Sequence, residues 1–421
     1  MVSFHKTKSI LLAIVAVCAF IISCNKDLPE AVPIQPPPNG SSPTLADLLA
    51  DPSLSIFKAA VTRSGFEPLL ADTSLRLTVF APSDPGLQAV GITMDVVNGM
   101  PVDQLAALIS YHIVPQSLSS SAVPTNFPNF QYPTLLNPVP TLSPLFRLTT
   151  FPSKRGSTVW VNNIPVVKAD VNAVNGVMHV MATVIAPPSQ DLWTRISTDT
   201  HLTYLKASVE RADSGVAPGA RLLDALSLAA NPSAIASNLT IFAPNDNAFQ
   251  MFLTGALTQA FIGQGFPPAN AQAAAIALVT AFGPLLISNP ASIPDVAGFP
   301  PGLGNSIAAV ITPTLAKGIV AYHVISSQSG SFTPPGLELF SVNLSTTPTA
   351  LKTLLNSGVP PHPGVTAQAT FGPTGVTAMT VKGLANATAS NVLINPLPGG
   401  TSDQHYINGV IHVIDQVLLP Q

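Results

Sequence analysis

Along residues 102–112 the apolar side chains Leu105, Leu108 and Ile109 are followed by His112, an i, i+3, i+4, i+7 stripe. That spacing predicts a helix with one face on a core, stopping before Pro115. The stripe returns at Ala316, Ile319, Val320 and His323. A different pattern precedes each helix. In "LTVFAPSDPGL" (77–87), Leu77–Phe80 reads as a strand, and Pro82 ends it because it has no N–H to donate. Ser83 and Asp84 then offer oxygens to cap a helix with Pro85 in its first turn. "LTIFAPNDNAF" (239–249) repeats the elbow with Asn245 and Asp246.

The closing pattern is a β signal. Asn175-Gly176 and Asn408-Gly409 predict two-residue hairpin turns with φ > 0 at both positions. Val166–Val174 is the strand before the first turn; "VMHVMATVIAP" and "VIHVIDQVLLP" follow the two turns.

These blocks recur in order. "SLSIFKAAV" (53–61) matches "HLTYLKASV" (201–209), and "ISYHIVP" (109–115) matches "VAYHVIS" (320–326). Together with the elbows and the Asn-Gly blocks they argue for one folding unit carried twice, at 44–188 and 190–420. The second copy is longer: Phe80 and His112 lie 32 positions apart, Phe242 and His323 lie 81 apart. The added residues fall at about 251–310, and no charged residue lies between Asp246 and Asp295. The stretch "ANAQAAAIALVTAFGPLLIS" (269–288) is read as a buried Ala-rich helix with a loop, because Asn270, Gln272 and Gly283-Pro284 interrupt any membrane span. A sharper reading makes it an uncharged surface that docks a partner or an apolar ligand.

The N-terminus has its own pattern. Lys6 and Lys8 precede the apolar run Ile10–Ile22, too short to span a bilayer, so residues 1–23 are expected to be an export signal. Ile21-Ile22-Ser23-Cys24 resembles the lipobox of bacterial lipoproteins, which implies lipidation of Cys24. Cleavage there leaves one cysteine and no internal disulfide. The "NKD" that follows is similar to surface-export signals of Bacteroidetes lipoproteins. Residues 24–43, rich in Pro, Gly and Ser, read as a tether.

Composition narrows the classes. The chain has 421 residues, 47% hydrophobic and 9% charged, with a net charge of −3. That is enough for two cores, and the 17 basic residues form no run that nucleic acid would need.

The strand into "FAP", the Tyr-His helix end and the closing Asn-Gly-Val-x-His-Val, each present twice, resemble the fasciclin-like domain in tandem. The residues that carry the resemblance are Phe80, Pro82, Tyr111, His112, Asn175, Gly176 and His179, then Phe242, Pro244, Tyr322, His323, Asn408, Gly409 and His412. The resemblance implies an α+β fold: two tandem domains, each a twisted β-wedge of two sheets with helices along one edge. It also implies an extracellular, membrane- or matrix-attached protein of adhesion or binding, with no catalytic residues. Leu87 stands where the second copy has Phe249, and Thr183 where it has Asp415. The Tyr-His pair is linked in animal relatives to receptor adhesion, whereas a lipoprotein signal implies a bacterium without such receptors.

Candidate chemistry is sparse. His112 and His323 have no acid or cysteine at ligand spacing, so they are expected as core histidines bonded to a nearby backbone carbonyl or hydroxyl, and no metal site is expected from them with His179 and His412. No nucleophile elbow, zinc-protease, phosphate-loop or dinucleotide motif occurs. Asp213 and Asp224 read as a loop and a helix-surface position. The expectation is a non-enzymatic, cofactor-free protein, lipid-anchored in the outer membrane and exposed at the cell surface. Its partner would be a polysaccharide or a cell-envelope protein. The alternative is a carrier of a small apolar ligand such as a pigment or lipid, with the cavity lined by 247–294; a hydrolase is the third class.

Overall fold

The structure is a computed structural model that describes residues 42–125, 131–141, 143–299, 301–325, 337–372 and 375–421. The signal segment, Cys24 and nearly all of the tether lie outside these residues.

Each repeat is organised around one parallel strand pair. Leu77–Pro82 runs beside Gly176–Met181, pairing Leu77 with Gly176 through Pro82 with Met181. Leu239–Pro244 pairs with Gly409–Ile414 in the same register. Both strands of each pair are almost wholly buried, as expected of parallel strands covered on both faces. Their two-residue period divides the core. Leu77, Val79 and Ala81 face a helical layer that holds Phe57, Val61, Leu105 and Ile109, while Phe80 faces a second cluster with Tyr111, Val159 and Val161. In the second repeat Leu239, Ile241 and Ala243 face the helices, and Phe242 faces Tyr322, Val365 and Val381. Sheet between helices on one side and further strands on the other is the α+β arrangement expected.

The sheets differ between the copies. In the first, strands Ile113–Val114, Leu77–Pro82, Gly176–Met181, Ile164–Ala173, Thr158–Val161 and Pro152–Arg155 follow one another edge to edge. Two register shifts interrupt the Ile164–Ala173 ladder, and such bulges increase local twist. In the second copy the corresponding strands form two four-stranded sheets joined by the bridges Ile325–Thr353 and Val392–Ile414.

The elbow after each parallel strand works twice. Ser83 and Asn245 cap the helices Asp84–Ala89 and Asp246–Gly263, accepting from the N–H of Gly86 and of Ala248. The neighbouring aspartates turn the other way. Asp84 accepts from the N–H groups of Ser55 and Ile56, and Asp246 from the N–H of Tyr204 and the hydroxyl of Thr203. They therefore cap the helices Ser55–Arg63 and Thr203–Ala212, tying the second α-helix of each repeat to its elbow.

The added segment is helical. Asp246–Gly263 and Pro268–Phe282 pack together, and Gly283, at φ +51°, ends the second. Leu253, Leu257 and Phe261 from one helix and Ala271, Ala275 and Leu278 from the other enter the core of the second repeat. Their outer faces stay uncharged, with Met251 and Ile276 exposed. Among the described residues no single helix is long and apolar enough to cross a membrane; Leu303–Val310 and Pro313–His323 pass only as a pair bent by 45°.

Candidate functional site

The Asn-Gly blocks do form tight hairpins, one residue earlier than expected. Ala173 pairs with Gly176 and Tyr406 with Gly409, so the turn residues are Val174-Asn175 and Ile407-Asn408. Neither asparagine has a positive φ. Their side chains do other work. Asn175 accepts from the Leu45 N–H at 2.9 Å and donates to the carbonyls of Leu70 and Asp72; Asn408 accepts from the Leu192 N–H at 2.9 Å and donates to those of Ala225 and Leu226. Each is a fully buried staple between the hairpin and the opening helices of its repeat. The glycines are required by crowding. A Cβ would lie 1.9 Å from the Leu77 carbonyl oxygen at Gly176 and 2.3 Å from that of Leu239 at Gly409.

All four motif histidines have both ring nitrogens engaged with backbone. Nε2 of His112 accepts from the Ile185 N–H, so Nδ1–H donates to the Leu108 carbonyl at 2.8 Å. His323 does the same with Leu418 and Ile319. Each thereby joins the end of its helix to the chain that leaves the repeat. Burial without an anionic partner pushes both down to about 4. His179 and His412 are held the other way round: Nδ1 accepts from the N–H of Asp170 or Asp403, and Nε2–H donates to the carbonyl of Leu118 or Leu339. Phe80 and Phe242 stack on these rings at 5.7 Å.

Around His179 and His412 lies a set of residues that the motifs above did not include. Asp170 and Asp403 sit at φ +57° and +52°. Their carboxylates accept from the backbone N–H and the hydroxyl of Ser120 and of Ser341. Thr78 and Thr240 brace the same segments, donating to the carbonyls of Gln116 and Leu337. Serine, aspartate and histidine are thus together, but no carboxylate oxygen touches the ring and no ring nitrogen touches the hydroxyl. The set lacks the relay that nucleophilic catalysis needs and acts as a clasp. The signal was available: Asp and His are nine positions apart in both copies, and Leu118-x-Ser120 matches Leu339-x-Ser341.

The two acids read as loop and surface positions are also structural. Asp213 accepts from the N–H groups of Leu222 and Leu223. Asp224 is buried, contrary to expectation, because Arg221 pairs with it at 2.7 Å; that guanidinium first, with the N–H groups of Arg221 and Gly219, holds its carboxyl down to about 2. Among the described residues no group of three or more His, Cys, Asp or Glu is placed to hold a metal ion.

The two copies diverge at the tyrosine of the Tyr-His pair. Tyr322 stays inside its own repeat, donating to the Gly364 carbonyl and accepting from the Leu384 N–H. Tyr111 faces the other repeat. Its hydroxyl bonds the Thr149 carbonyl and lies 3.2 Å from Nδ1 of His405, whose Nε2 meets Glu338 at 3.0 Å. Asn162 reaches both Tyr111 and His405. Burial pushes the Tyr111 hydroxyl up, and it also raises Glu338, against which His405 pulls down. Phe151 and Phe340 pack edge-on against His405, in a cluster with Trp160, Val342 and Val410 drawn from both repeats.

Beside this junction an open cleft of about 550 Å³ separates the hairpin Pro152–Val161 from residues 342–349 of the second repeat. Its lining includes Ser153, Lys154, Arg155, Asn343, Ser345 and Thr349. Arg155 crosses it, its guanidinium 3.3 Å above the Phe371 ring and donating to the Leu344 carbonyl. A second groove of about 440 Å³ runs over the added helices, lined by Gln250, Met251, Thr254, Thr258, Gln259 and Gln272.

Residues 52–187 match the family model described as Fasciclin domain. The chain is 26% identical over 196 residues to Protein sll1483 of Synechocystis sp., a match covering 44% of this chain and 99% of that protein. It is 29% identical over 160 residues to transforming growth factor-beta-induced protein ig-h3 of Sus scrofa, covering 36% of this chain and 20% of that relative's length. The solved FAS1 domain pair from the insect cell adhesion molecule Fasciclin I aligns with 88% of this chain and 98% of its own, at 16% identity and a TM-score of 0.31. The match to the Fasciclin domain model falls within the first repeat. The second reproduces its parallel pair, histidine bonds and clasp position for position.

Proposed function

We propose that this is an adhesion or binding protein of the cell envelope, exported by residues 1–23, lipid-anchored through Cys24 and exposed at the outer-membrane surface, where it recognises a polysaccharide or an envelope protein. The observation that carries the reading is the open, polar cleft across the junction of the two repeats. A binding site there would be preorganised, because the junction that flanks it is packed with aromatic side chains and hydrogen bonds. The fasciclin domain, a module of adhesion and binding proteins, supports the same reading. So do the four motif histidines, whose ring nitrogens are all committed to backbone and offer no general base. Both grooves are open and lined by hydroxyls and amides, which favours a macromolecular ligand over a small apolar one.

The test uses the full-length protein in detergent, on a glycan array and as bait in envelope extract. Selective capture of a glycan or an envelope protein is expected. A pigment or lipid in the solvent extract of the purified protein, with no macromolecular capture, would replace this reading by the carrier. The added helices are probed by the surface substitutions Met251→Ser and Ile276→Ser, since deleting them would remove Leu253, Leu257 and Leu278 from the core.

A further inference from the structure

Of all the grooves and polar clusters described, the inter-repeat cleft has the most one-sided chemistry. Lys154 and Arg155 lie in its wall and no aspartate or glutamate does. The turn Gly156-Ser157, with Gly156 at φ +58°, closes the hairpin that pairs Arg155 with Thr158 and sets these cations at its tip. Among the described residues neither makes an ion pair. Asp170, whose field reaches Lys154, has its carboxylate held by Ser120. Arg155 is fixed by the Phe371 ring and the Leu344 carbonyl, so one positive charge stands rigidly across the two repeats and the other is free to reach a ligand. Opposite them the wall is neutral and polar, with the hydroxyls of Ser345 and Thr349.

Arg155 reaching across the cleft, Lys154 beside it at the rim, and hydroxyls on the opposite wall suit a ligand that is anionic and polyhydroxylated. Resting on the binding reading above, we infer that the cleft takes a segment of an acidic polysaccharide. A carboxylate or sulfate would meet Lys154 and Arg155, and the sugar hydroxyls would bond the opposite wall. A volume of about 550 Å³ falls within the roughly 300–1,000 Å³ of ordinary ligand sites, and the cleft is open to solvent. Charge-assisted contacts of this kind weaken with salt.

The experiment titrates full-length protein in detergent with oligogalacturonate and chondroitin sulfate oligosaccharides, with neutral dextran oligosaccharides, and with sodium sulfate alone. Binding of an acidic oligosaccharide is expected, falling at least tenfold in Lys154→Glu and less in Lys154→Gln, with both variants melting like the parent. Dextran should not compete, and sulfate should compete only at concentrations far above those of the oligosaccharides. Acidic-glycan binding that is indifferent to Lys154→Glu would overturn the assignment, and so would sulfate competing as well as the glycan, which would leave a simple anion site. Capture of a neutral glycan or an envelope protein without acidic-glycan binding sinks this inference but leaves the adhesion reading standing; no macromolecular binding at all removes both.

Discussion

Asn408 shows how much a single buried amide can hold. It makes three bonds to backbone atoms of Leu192, Ala225 and Leu226, more than 180 positions away, and Asn175 makes the equivalent set in the first repeat. Asn408→Ala strands one donor and two acceptors in a dry site, so a loss of about 2–4 kcal/mol is expected, seen as a lower denaturant midpoint at unchanged slope. Asn408→Asp keeps the acceptor but sets a carboxylate oxygen against the Ala225 and Leu226 carbonyls, so it should cost at least as much. The histidines give a pH signature. His112 and His323 are held near 4 in the fold and return to about 6.5 when unfolded, so below that value the unfolded chain binds protons the folded chain refuses. Their contribution is therefore complete above about pH 6.5, lost progressively as pH falls towards 4, and constant below. At about 1.4 kcal/mol per unit, each accounts for up to about 3 kcal/mol. Midpoints measured from pH 7.5 to 4 should fall steeply in the parent and less steeply in His112→Gln. Equal slopes would show that the imidazole does not titrate in this way.

At the level of elements, the added helices carry a clear split between faces. Leu278 lies in the core, and Leu278→Ala should cost about 2–5 kcal/mol; Met251→Ser, on the exposed face, should change stability by less than about 0.5 kcal/mol. Comparable losses from both would mean that the outer face is covered rather than open. How far an element shows in the sequence depends on how local its cause is. Periods of 3.6 and 2 are local, so the helices ending at His112 and His323, the elbows and the duplication are all legible in the order of residues. Asn175 and Asn408 are legible as marks but not as staples, because a turn preference is local whereas their partners lie on the opening helices. Asp84 and Asp246 mislead for the same reason: a cap normally serves the helix it begins, and here the carboxylate reaches back to an earlier one. His405 leaves no trace, since the matching position in the first copy is Asn172 and duplication hides what only one copy has.

At the scale of the whole molecule, each repeat has its own helical and strand-side core, and Ile407 of the second repeat packs against the strand-side core of the first. Among the described residues, what couples them includes that Ile407 contact, the Asn238–Gln131 hydrogen bond, the cluster around Phe151, Phe340 and Trp160, the chain from Tyr111 through His405 to Glu338, and Arg155 on Phe371. The polar centre of the junction fixes the register of the repeats, because His405 meets a hydroxyl on one side and a carboxylate on the other. Tyr111→Phe and His405→Ala remove the two ends of the inter-repeat bond. In a double-mutant cycle they should show a coupling of about 1 kcal/mol, whereas Tyr322→Phe, whose bonds stay within the second repeat, should add to His405→Ala with none. His405→Ala also takes the imidazole partner from buried Glu338, and combined with Phe340→Ala it should turn one calorimetric transition into two. A double variant that still melts in one step would mean that the repeats share their stability through contacts outside this junction, and the cleft beside it would lose its claim to a rigid frame.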